Sequence, residues 1–190
     1  MAKTLSIFQE LEVFDKVQLL KNVAYVNVLL TEAYYSYIQL HSTLCNPDGT
    51  LPVLIKVKHW MPVGLAELAY SRILDPFYRI NLTSEEYVLL KMLLYCYYPS
   101  ATNLSKIAKE LLQKEYSKVS KLLLKHMQIQ HGKDEGTKKY SEAINLMGTL
   151  FHFMERHKEI YIFKNMTTTI IKENNGDGSS WNLLMDEIFS

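Results

Sequence analysis

The segment after Asp15 constrains the fold more than any other part of the chain, because apolar residues recur there at helical spacing. One face carries Leu19, Leu20, Val23, Val26, Leu30, Tyr34 and Tyr37, and a second carries Val17, Ala24, Val28, Leu29, Ala33 and Ile38. A helix that is apolar on nearly all sides lies at the centre of a protein. Asp15, with Gln18 three residues later, is predicted to cap its N-terminus.

Turn-forming residues separate this central helix from the next one. Asn46-Pro47-Asp48-Gly49 is a strong turn signal. Alternate residues after the turn are apolar, which predicts a short β-hairpin; they are Leu51, Val53, Ile55 and Val57. Pro62 then suits the first turn of a helix that runs to about Leu74, and Asp75-Pro76 is expected to end it.

Three longer helices are predicted in the rest of the chain. Thr83 and Glu86 form a capping box for a helix that stops before Pro99, and helices of about residues 103–130 and 137–164 follow. Gly132 is the stop signal between the last two. Their inward stripes are predicted to be Ile107, Leu111, Leu112, Val119, Leu122, Leu123 and Met127, and Tyr140, Ile144, Met147, Leu150, Phe151, Met154 and Tyr161. Gly148 predicts a close packing partner, since glycine inside a helix costs about 1 kcal/mol relative to alanine.

Composition and motifs argue against several classes of function. Lys and Arg total 21 and Asp and Glu total 20, so no strongly basic face for nucleic acid is expected. No uninterrupted apolar run reaches the roughly 18 residues of a membrane-spanning helix. Nucleotide-binding and nucleophile motifs are absent. The spacing of His152 and Glu155 would allow a weak metal pair, but we interpret His152 as an ordinary exposed or packed histidine of a long helix. Neither an enzyme nor a metal or other cofactor site is therefore expected.

The C-terminal segment differs in composition from the helices before it. Residues 172–180 are polar and contain glycine, which predicts a flexible linker over residues 171–182. Residues 183–190 are predicted to form a short amphipathic helix that presents Leu183, Leu184, Met185, Ile188 and Phe189. A helix this short is not stable alone. It is expected to dock elsewhere, either as a plain packing helix or as a conditional lid over a protein-binding groove.

Three blocks of the sequence resemble the ligand-binding domain of nuclear receptors. Ala2-Lys3, Phe8 and Leu11, followed by Asp15 and Leu19-Leu20, resemble the signature of that family, and Leu82-Thr83, Glu86 and Leu90-Lys91 are similar to its eighth helix. The stretch from Leu184 to Phe189 fits its activation helix. The blocks follow the family's order along residues 1–190, and the chain looks most like the divergent receptors related to hepatocyte nuclear factor 4.

The resemblance implies an all-α, three-layer helical sandwich with one small β-hairpin, formed by residues 1–190 as a single domain. The sequence starts at a position that resembles the end of the family's third helix. The sandwich is therefore expected to be incomplete at its amino terminus and to lack the DNA-binding zinc fingers, with an exposed apolar patch where the first helices would pack. The resemblance also implies a location in the nucleus, with no direct contact of this chain with nucleic acid or membrane.

The resemblance further implies a ligand-regulated transcription factor domain that recruits coregulator proteins through their short L-x-x-L-L helices. Lys3 and Glu187 are implied to bracket the two ends of the bound helix. The implied groove consists of Lys3, Val13, Lys16, Val17, Leu20, Lys21, Leu184, Met185, Glu187 and Ile188. Ala24, Val28 and Tyr35 are assigned to a pocket for a small lipophilic ligand. Tyr35 stands where some receptors carry an arginine that grips the ligand.

A second hypothesis needs no ligand. The chain would then be a helical interaction module that forms a homodimer or heterodimer through residues 140–161, and Leu150→Arg should split such a dimer.

Overall fold

A computed structural model describes residues 5–46, 48–52, 63–99, 101 and 103–172. The helices of this part are α1 (Ser6–Glu10), α2 (Val13–Ile38), α3 (Val63–Tyr70), α4 (Asp75–Ile80), α5 (Ser84–Tyr95), α6 (Lys106–His131) and α7 (Lys133–Lys172), with a 3-10 turn at Arg72–Leu74. The all-α prediction is confirmed, and the part described contains no β-strand. Val53, Ile55 and Val57 of the predicted hairpin lie outside the described residues.

Helix α2 is the centre of the packing, as predicted, but its second apolar face is partly in solvent, since Val17, Val28 and Ile38 are exposed. It contacts α4, α5, α7 and the 3-10 turn. The fully buried side chains of its middle turns belong to the main core and include Val26, Leu29, Leu30 and Ala33. Helix α2 therefore contributes to the main core and also carries the predicted site residues between Val13 and Tyr35.

Asp15 does not cap the N-terminus of α2, so this prediction is wrong. The helix begins at Val13, two residues before Asp15, and Glu12 at the cap position makes no side-chain hydrogen bond to the helix. The buried carboxylate of Asp15 instead accepts hydrogen bonds from the backbone N–H and the hydroxyl of Ser105, each at 2.8 Å. Asp15 thus joins the start of α2 to the start of α6.

Asp75-Pro76 begins a helix instead of ending one. The backbone leaves the helix at Tyr70, passes through the 3-10 turn and enters α4, in whose first turn the proline lies. Proline is tolerated there because the first N–H groups of a helix have no partner within it. The helical segment ends at Asn81, which adopts a left-handed conformation with φ 55°.

Three other helix ends agree with local sequence signals. Thr83 and Glu86 form the predicted capping box at the start of α5. Gly132, with φ 85°, lies at the end of α6. Helix α6 itself starts three residues later than predicted, because the Ser105 hydroxyl accepts a hydrogen bond from the N–H of Ala108 and caps the helix there.

Helices α6 and α7 form an antiparallel hairpin about Gly132. In the predicted stripe of α6, Ile107 is 71% exposed and Leu122 is also exposed, so both were wrongly assigned to the interior. The stripe of α7 is confirmed as core, with Met147 and Leu150 buried; Tyr140, Ile144, Phe151, Met154 and Tyr161 pack partly buried against it. Because Leu150 has no exposed surface, the expectation that Leu150→Arg would split a dimer is wrong.

The close helix contact that Gly148 predicts occurs at a different glycine. Gly148 is exposed, and a Cβ there would meet no atom within 4 Å. At Gly136, by contrast, a Cβ would lie 2.6 Å from the Cα of Gln128 and would also overlap the Met127 carbonyl oxygen. Gly136 is what allows the first turn of α7 to lie against the last turns of α6.

These two glycines should respond oppositely to alanine. Gly148→Ala should stabilise the domain by about 0.5–1 kcal/mol, because it removes the helix cost of glycine without a clash. Gly136→Ala should destabilise it by about 1–3 kcal/mol through overpacking against backbone atoms. Urea unfolding followed by circular dichroism measures both changes. Equal shifts of the unfolding midpoint in the two variants would contradict this assignment of the helix contact.

Candidate functional site

The outer face of the first turns of α2 is apolar and open to solvent. Val13 is 74% exposed, Phe14 is 61% exposed and Val17 is 43% exposed. Leu20, one turn further along, is half-buried. Exposed apolar side chains grouped in this way mark surfaces that bind a partner. Sequence reasoning identified Val13, Val17 and Leu20 but missed Phe14, whose signal is its spacing of three residues from Val17.

The opposite face of the same turns is firmly packed. Leu19 and Val23 belong to a second buried cluster, which is separate from the main core. Its other members come from α1, the loop before α6 and the first half of α6: Ile7, Phe8, Leu11, Cys96, Ala101, Leu104, Ala108 and Leu112. Burial raises the pKa of the Cys96 thiol to about 12, so this cysteine stays a neutral packing residue.

Lys16 joins α1 to α2. Its Nζ donates to the backbone oxygen of Gln9 at 3.3 Å and lies 5.9 Å from the centroid of the Phe8 ring, within the range of a cation–π contact. Lys21, one turn later, is half-buried on the same helix. Lys16 therefore helps to hold α1 against the helix that carries the exposed apolar face.

The remaining predicted groove residues lie outside the part of the chain that the structure describes. These residues are Lys3 at the start, and Leu184, Met185, Glu187 and Ile188 at the end. The predicted linker and activation helix, residues 171–182 and 183–190, lie almost wholly outside it as well.

A cleft of about 440 Å³ runs between α2 and α5. Its lining is apolar at one end and polar at the other, and consists of Leu20, Ala24, Asn27, Val28, Thr31, Glu32, Asn46, Lys91 and Tyr95. The structure thus brings two of the three predicted pocket residues, Ala24 and Val28, to one cleft, whereas Tyr35 is not part of its lining. Val28 is also exposed.

The polar end of the cleft is organised by Lys91. Its Nζ donates to the hydroxyl of Thr31 at 2.7 Å and to that of Tyr87 at 3.0 Å. Asn27 is buried in the same wall, and its Nδ2 donates to the carbonyl oxygen of Val23. Its Oδ1 accepts no hydrogen bond from the residues described. The sequence signal for these groups is that polar residues interrupt an otherwise apolar helix.

A buried polar contact connects three helices behind the cleft. His157 of α7 lies with Nε2 3.0 Å from the carbonyl oxygen of Ala69 and with Nδ1 2.8 Å from the hydroxyl of Tyr25. Because a carbonyl oxygen only accepts, Nε2 carries a proton; with this single proton on the ring, Nδ1 accepts from the hydroxyl of Tyr25. Burial raises the pKa of the Tyr25 hydroxyl, so it stays protonated and can donate.

Neither a metal-binding cluster nor a membrane-spanning helix occurs in the part of the chain that the structure describes. No group of three His, Cys, Asp or Glu side chains converges there to hold a metal ion. None of the helices described combines the length and apolarity that crossing a membrane requires.

Known proteins are similar to this chain in sequence and in architecture. The family model described as the ligand-binding domain of nuclear hormone receptors matches residues 1–167. The chain is 26% identical over 163 residues to nuclear hormone receptor family member nhr-153 of Caenorhabditis elegans, covering 85% of this chain and 39% of that protein. It is 32% identical over 125 residues to family member nhr-124 of the same organism, covering 64% of this chain and 32% of that protein.

The fold matches a solved domain of the same kind. The ultraspiracle ligand-binding domain from Drosophila melanogaster aligns with a TM-score of 0.70 at 18% sequence identity, over 98% of this chain and 73% of that domain. This match confirms the helical sandwich. The chain spans less than two fifths of the length of the curated relatives, since it covers 39% and 32% of them.

Nuclear hormone receptors are transcription factors and not enzymes. Their ligand-binding domains commonly bind small lipophilic ligands, dimerise and bind coregulators, and the receptors are generally nuclear. The family match over residues 1–167 and the fold match lead to the same conclusion: this chain belongs to the nuclear hormone receptor ligand-binding domain family.

Proposed function

We propose that this chain recruits coregulator proteins by binding their L-x-x-L-L helices on the N-terminal half of α2. The proposed floor of the groove is Val13, Val17 and Leu20, and the proposed wall is Leu184, Met185 and Ile188 of the activation helix. The observation that carries the proposal is the exposure of Val13 and Val17 on a helix whose opposite face is packed. An amphipathic helix gains its affinity by placing apolar anchors in such a groove.

Two opposite charges are proposed to bracket the bound helix. The ends of any helix carry unpaired backbone groups, with partial positive charge at the N-terminus and partial negative charge at the C-terminus. Lys3 is proposed to hold the C-terminal carbonyl groups and Glu187 the N-terminal amides. Lys21 is proposed to supply a second basic group at the same end of the bound helix.

Binding of a fluorescently labelled L-x-x-L-L peptide, followed by anisotropy, tests the two charges. Changing Lys3→Ala and Glu187→Ala together should weaken binding by at least about tenfold, because each helix-end charge contributes on the order of 1 kcal/mol. The control carries Lys114→Ala and Glu155→Ala, which remove exposed charges from α6 and α7. Equal affinities of the double variant and the wild-type protein would refute the bracketing.

Val17→Glu tests the groove floor. It should reduce peptide affinity by at least about tenfold, because the bound peptide would bury an unpaired carboxylate. Ile129→Glu is the matched control, since Ile129 is an exposed apolar residue of α6 far along the chain from the groove. Both variants should keep the stability of the wild-type protein to within about 0.5 kcal/mol. Peptide binding that survives Val17→Glu unchanged would exclude this face.

A small lipophilic ligand is proposed to regulate this recruitment. Ala24 and Val28 are proposed to contact it, supported by their position in the cleft between α2 and α5; Tyr35 stays a proposed contact without that support. A ligand that favours the docked activation helix would favour coregulator binding by shifting the population of the two states. We also propose that the chain acts in the nucleus and is most closely related to the receptors of the hepatocyte nuclear factor 4 type.

Dimerisation through residues 140–161 is proposed to use the outward side of α7. Ser141, Asn145, Gly148 and His152 are exposed at helical spacing on that side. Without a bulky side chain at Gly148, a second helix could approach closely there. The same surface would serve the ligand-independent interaction module of the second hypothesis.

A further inference from the structure

Asp15 is a buried carboxylate at the start of the helix that carries the exposed apolar face. It is 3% exposed and accepts hydrogen bonds from the N–H and the hydroxyl of Ser105, both at 2.8 Å. The Ser105 hydroxyl in turn accepts from the N–H of Ala108 at 3.1 Å, in the first turn of α6. Two parallel hydrogen bonds therefore join α2 to Ser105, 90 positions away, and a third connects Ser105 to the first turn of α6.

The first turn of α2 has few other attachments. Val13 and Phe14 point into solvent, so they add little packing that could hold the turn. The apolar contacts with α6 start further along α2, at Leu19 and Val23. Lys16 contributes one long hydrogen bond and a cation–π contact with Phe8, both to the neighbouring α1 and not to α6. The direct attachment of this turn to α6 is thus the Asp15 carboxylate.

The exposed apolar face depends on the direction of that turn. Val13 and Val17 are one helical turn apart, and both must face the same way to form a groove floor. If the turn frays, Val13 loses its place relative to Val17, and the fraction of molecules that can bind is reduced. The apparent affinity for a partner falls in proportion to that fraction.

We propose that Asp15 is the positioning residue of the coregulator surface, and that its contact with Ser105 holds the first turn of α2 in the binding-competent orientation. The identity of the partner in this inference rests on the proposed function. The claim that Asp15 orders the first turn of α2 does not depend on it.

Two measurements on the full chain test the role of Asp15. The first is the affinity for the labelled L-x-x-L-L peptide. The second is hydrogen exchange of the amides of residues 17–20, which bond to the carbonyls of the first turn, compared with those of residues 26–30 in the main core. Asp134→Ala is the control, since Asp134 is an exposed carboxylate in the first turn of α7.

Asp15→Ala should weaken peptide binding by about tenfold or more, because less of the protein is binding-competent. Exchange at residues 17–20 should accelerate by a similar factor, about tenfold, while exchange at residues 26–30 changes much less. Ser105→Ala should show a smaller effect in the same direction, and Ser105→Thr, which keeps the hydroxyl, should restore both readouts. A merely structural role would accelerate exchange in both segments equally and would not be rescued in this way.

The outcomes separate the two proposals. If the wild-type protein binds no peptide, the proposed function fails, and the exchange comparison still decides whether Asp15 orders the turn. If Asp15→Ala does not fold, Ser105→Ala and Ser105→Thr carry the same comparison. Peptide affinity and local exchange that stay at wild-type values in a folded Asp15→Ala or Ser105→Ala protein would overturn the inference.

Discussion

Leu150→Arg should destabilise the domain by more than about 4 kcal/mol, a large part of the roughly 5–15 kcal/mol that stabilises a typical domain. Leu150 has no exposed surface and lies in the main core with Leu146, Met147 and Phe153 of the same helix. Arginine at this place would remove apolar contacts and bury a guanidinium group among apolar side chains. A buried charge without a partner is among the most costly changes that a protein can undergo.

Urea unfolding followed by far-ultraviolet circular dichroism measures this loss. Gln113→Arg is the control, because Gln113 is exposed on α6 and lies outside the proposed dimer surface. The control should change the free energy of unfolding by less than about 0.5 kcal/mol. If Leu150→Arg instead gives a folded monomer of near wild-type stability, residue 150 lies at an interface and the packing of α7 described above is wrong.

Lys139→Met should destabilise the domain by about 3–5 kcal/mol, because it leaves a buried carboxylate without its cation. Glu86 has no exposed surface, and its Oε2 lies 2.8 Å from the Nζ of Lys139. Its Oε1 lies 2.8 Å from Nε2 of His131, and Oε2 also accepts from the N–H of Thr83 at 2.9 Å. This network joins α5 to both helices of the hairpin.

The neighbouring lysine supplies the control for this variant. Lys138 is exposed and pairs with Glu135 on the surface. Lys138→Met should change the stability by less than about 1 kcal/mol, since surface ion pairs contribute little. Thermal or urea unfolding of the two variants would contradict the buried network if their midpoints shifted by the same amount.

The same network makes the stability of the domain depend on pH in the acid range. Burial opposes ionisation of Glu86, but the hydrogen bonds from Lys139, Thr83 and His131 outweigh it and hold the pKa of this carboxyl below its usual value of 4.5. The folded state therefore binds the proton less readily than the unfolded chain does. The stability from this group is complete above about pH 4.5 and is lost as the pH falls below it. Glu86→Gln should flatten that part of the stability profile.

Local signals in the sequence identified the features whose partners are near in the chain. Thr83 and Glu86 cap a helix within three residues of each other, and Gly132 ends one through its own backbone conformation. The partner of Asp15, by contrast, lies 90 residues away, so sequence spacing suggested a helix cap in place of a contact with Ser105. The network of Glu86 was hidden for the same reason, since only its cap was visible in the sequence.

Faces and close contacts were harder to predict than helices. Periodicity assigned Ile107 to the interior, although α6 meets α7 on one side only and leaves this residue in solvent. A glycine inside a helix predicted a close contact at Gly148. The close approach of two helix backbones instead occurs at Gly136, where a side chain would not fit. The family signature predicted the floor of the candidate groove, and Val13 and Val17 do lie exposed on one helix. Lys3 and Glu187 lie outside the described residues, so their bracketing of a helix stays a prediction.

The central claim is that an L-x-x-L-L helix binds across the exposed start of α2, and a methyl NMR titration tests it most directly. With isotope-labelled Val and Leu methyl groups, adding the peptide should shift the signals of Val13, Val17 and Leu20, together with that of Leu184. The signals of core residues such as Leu29 should stay in place. Peptide binding that shifts methyl groups elsewhere and leaves Val13 and Val17 unchanged would contradict the account.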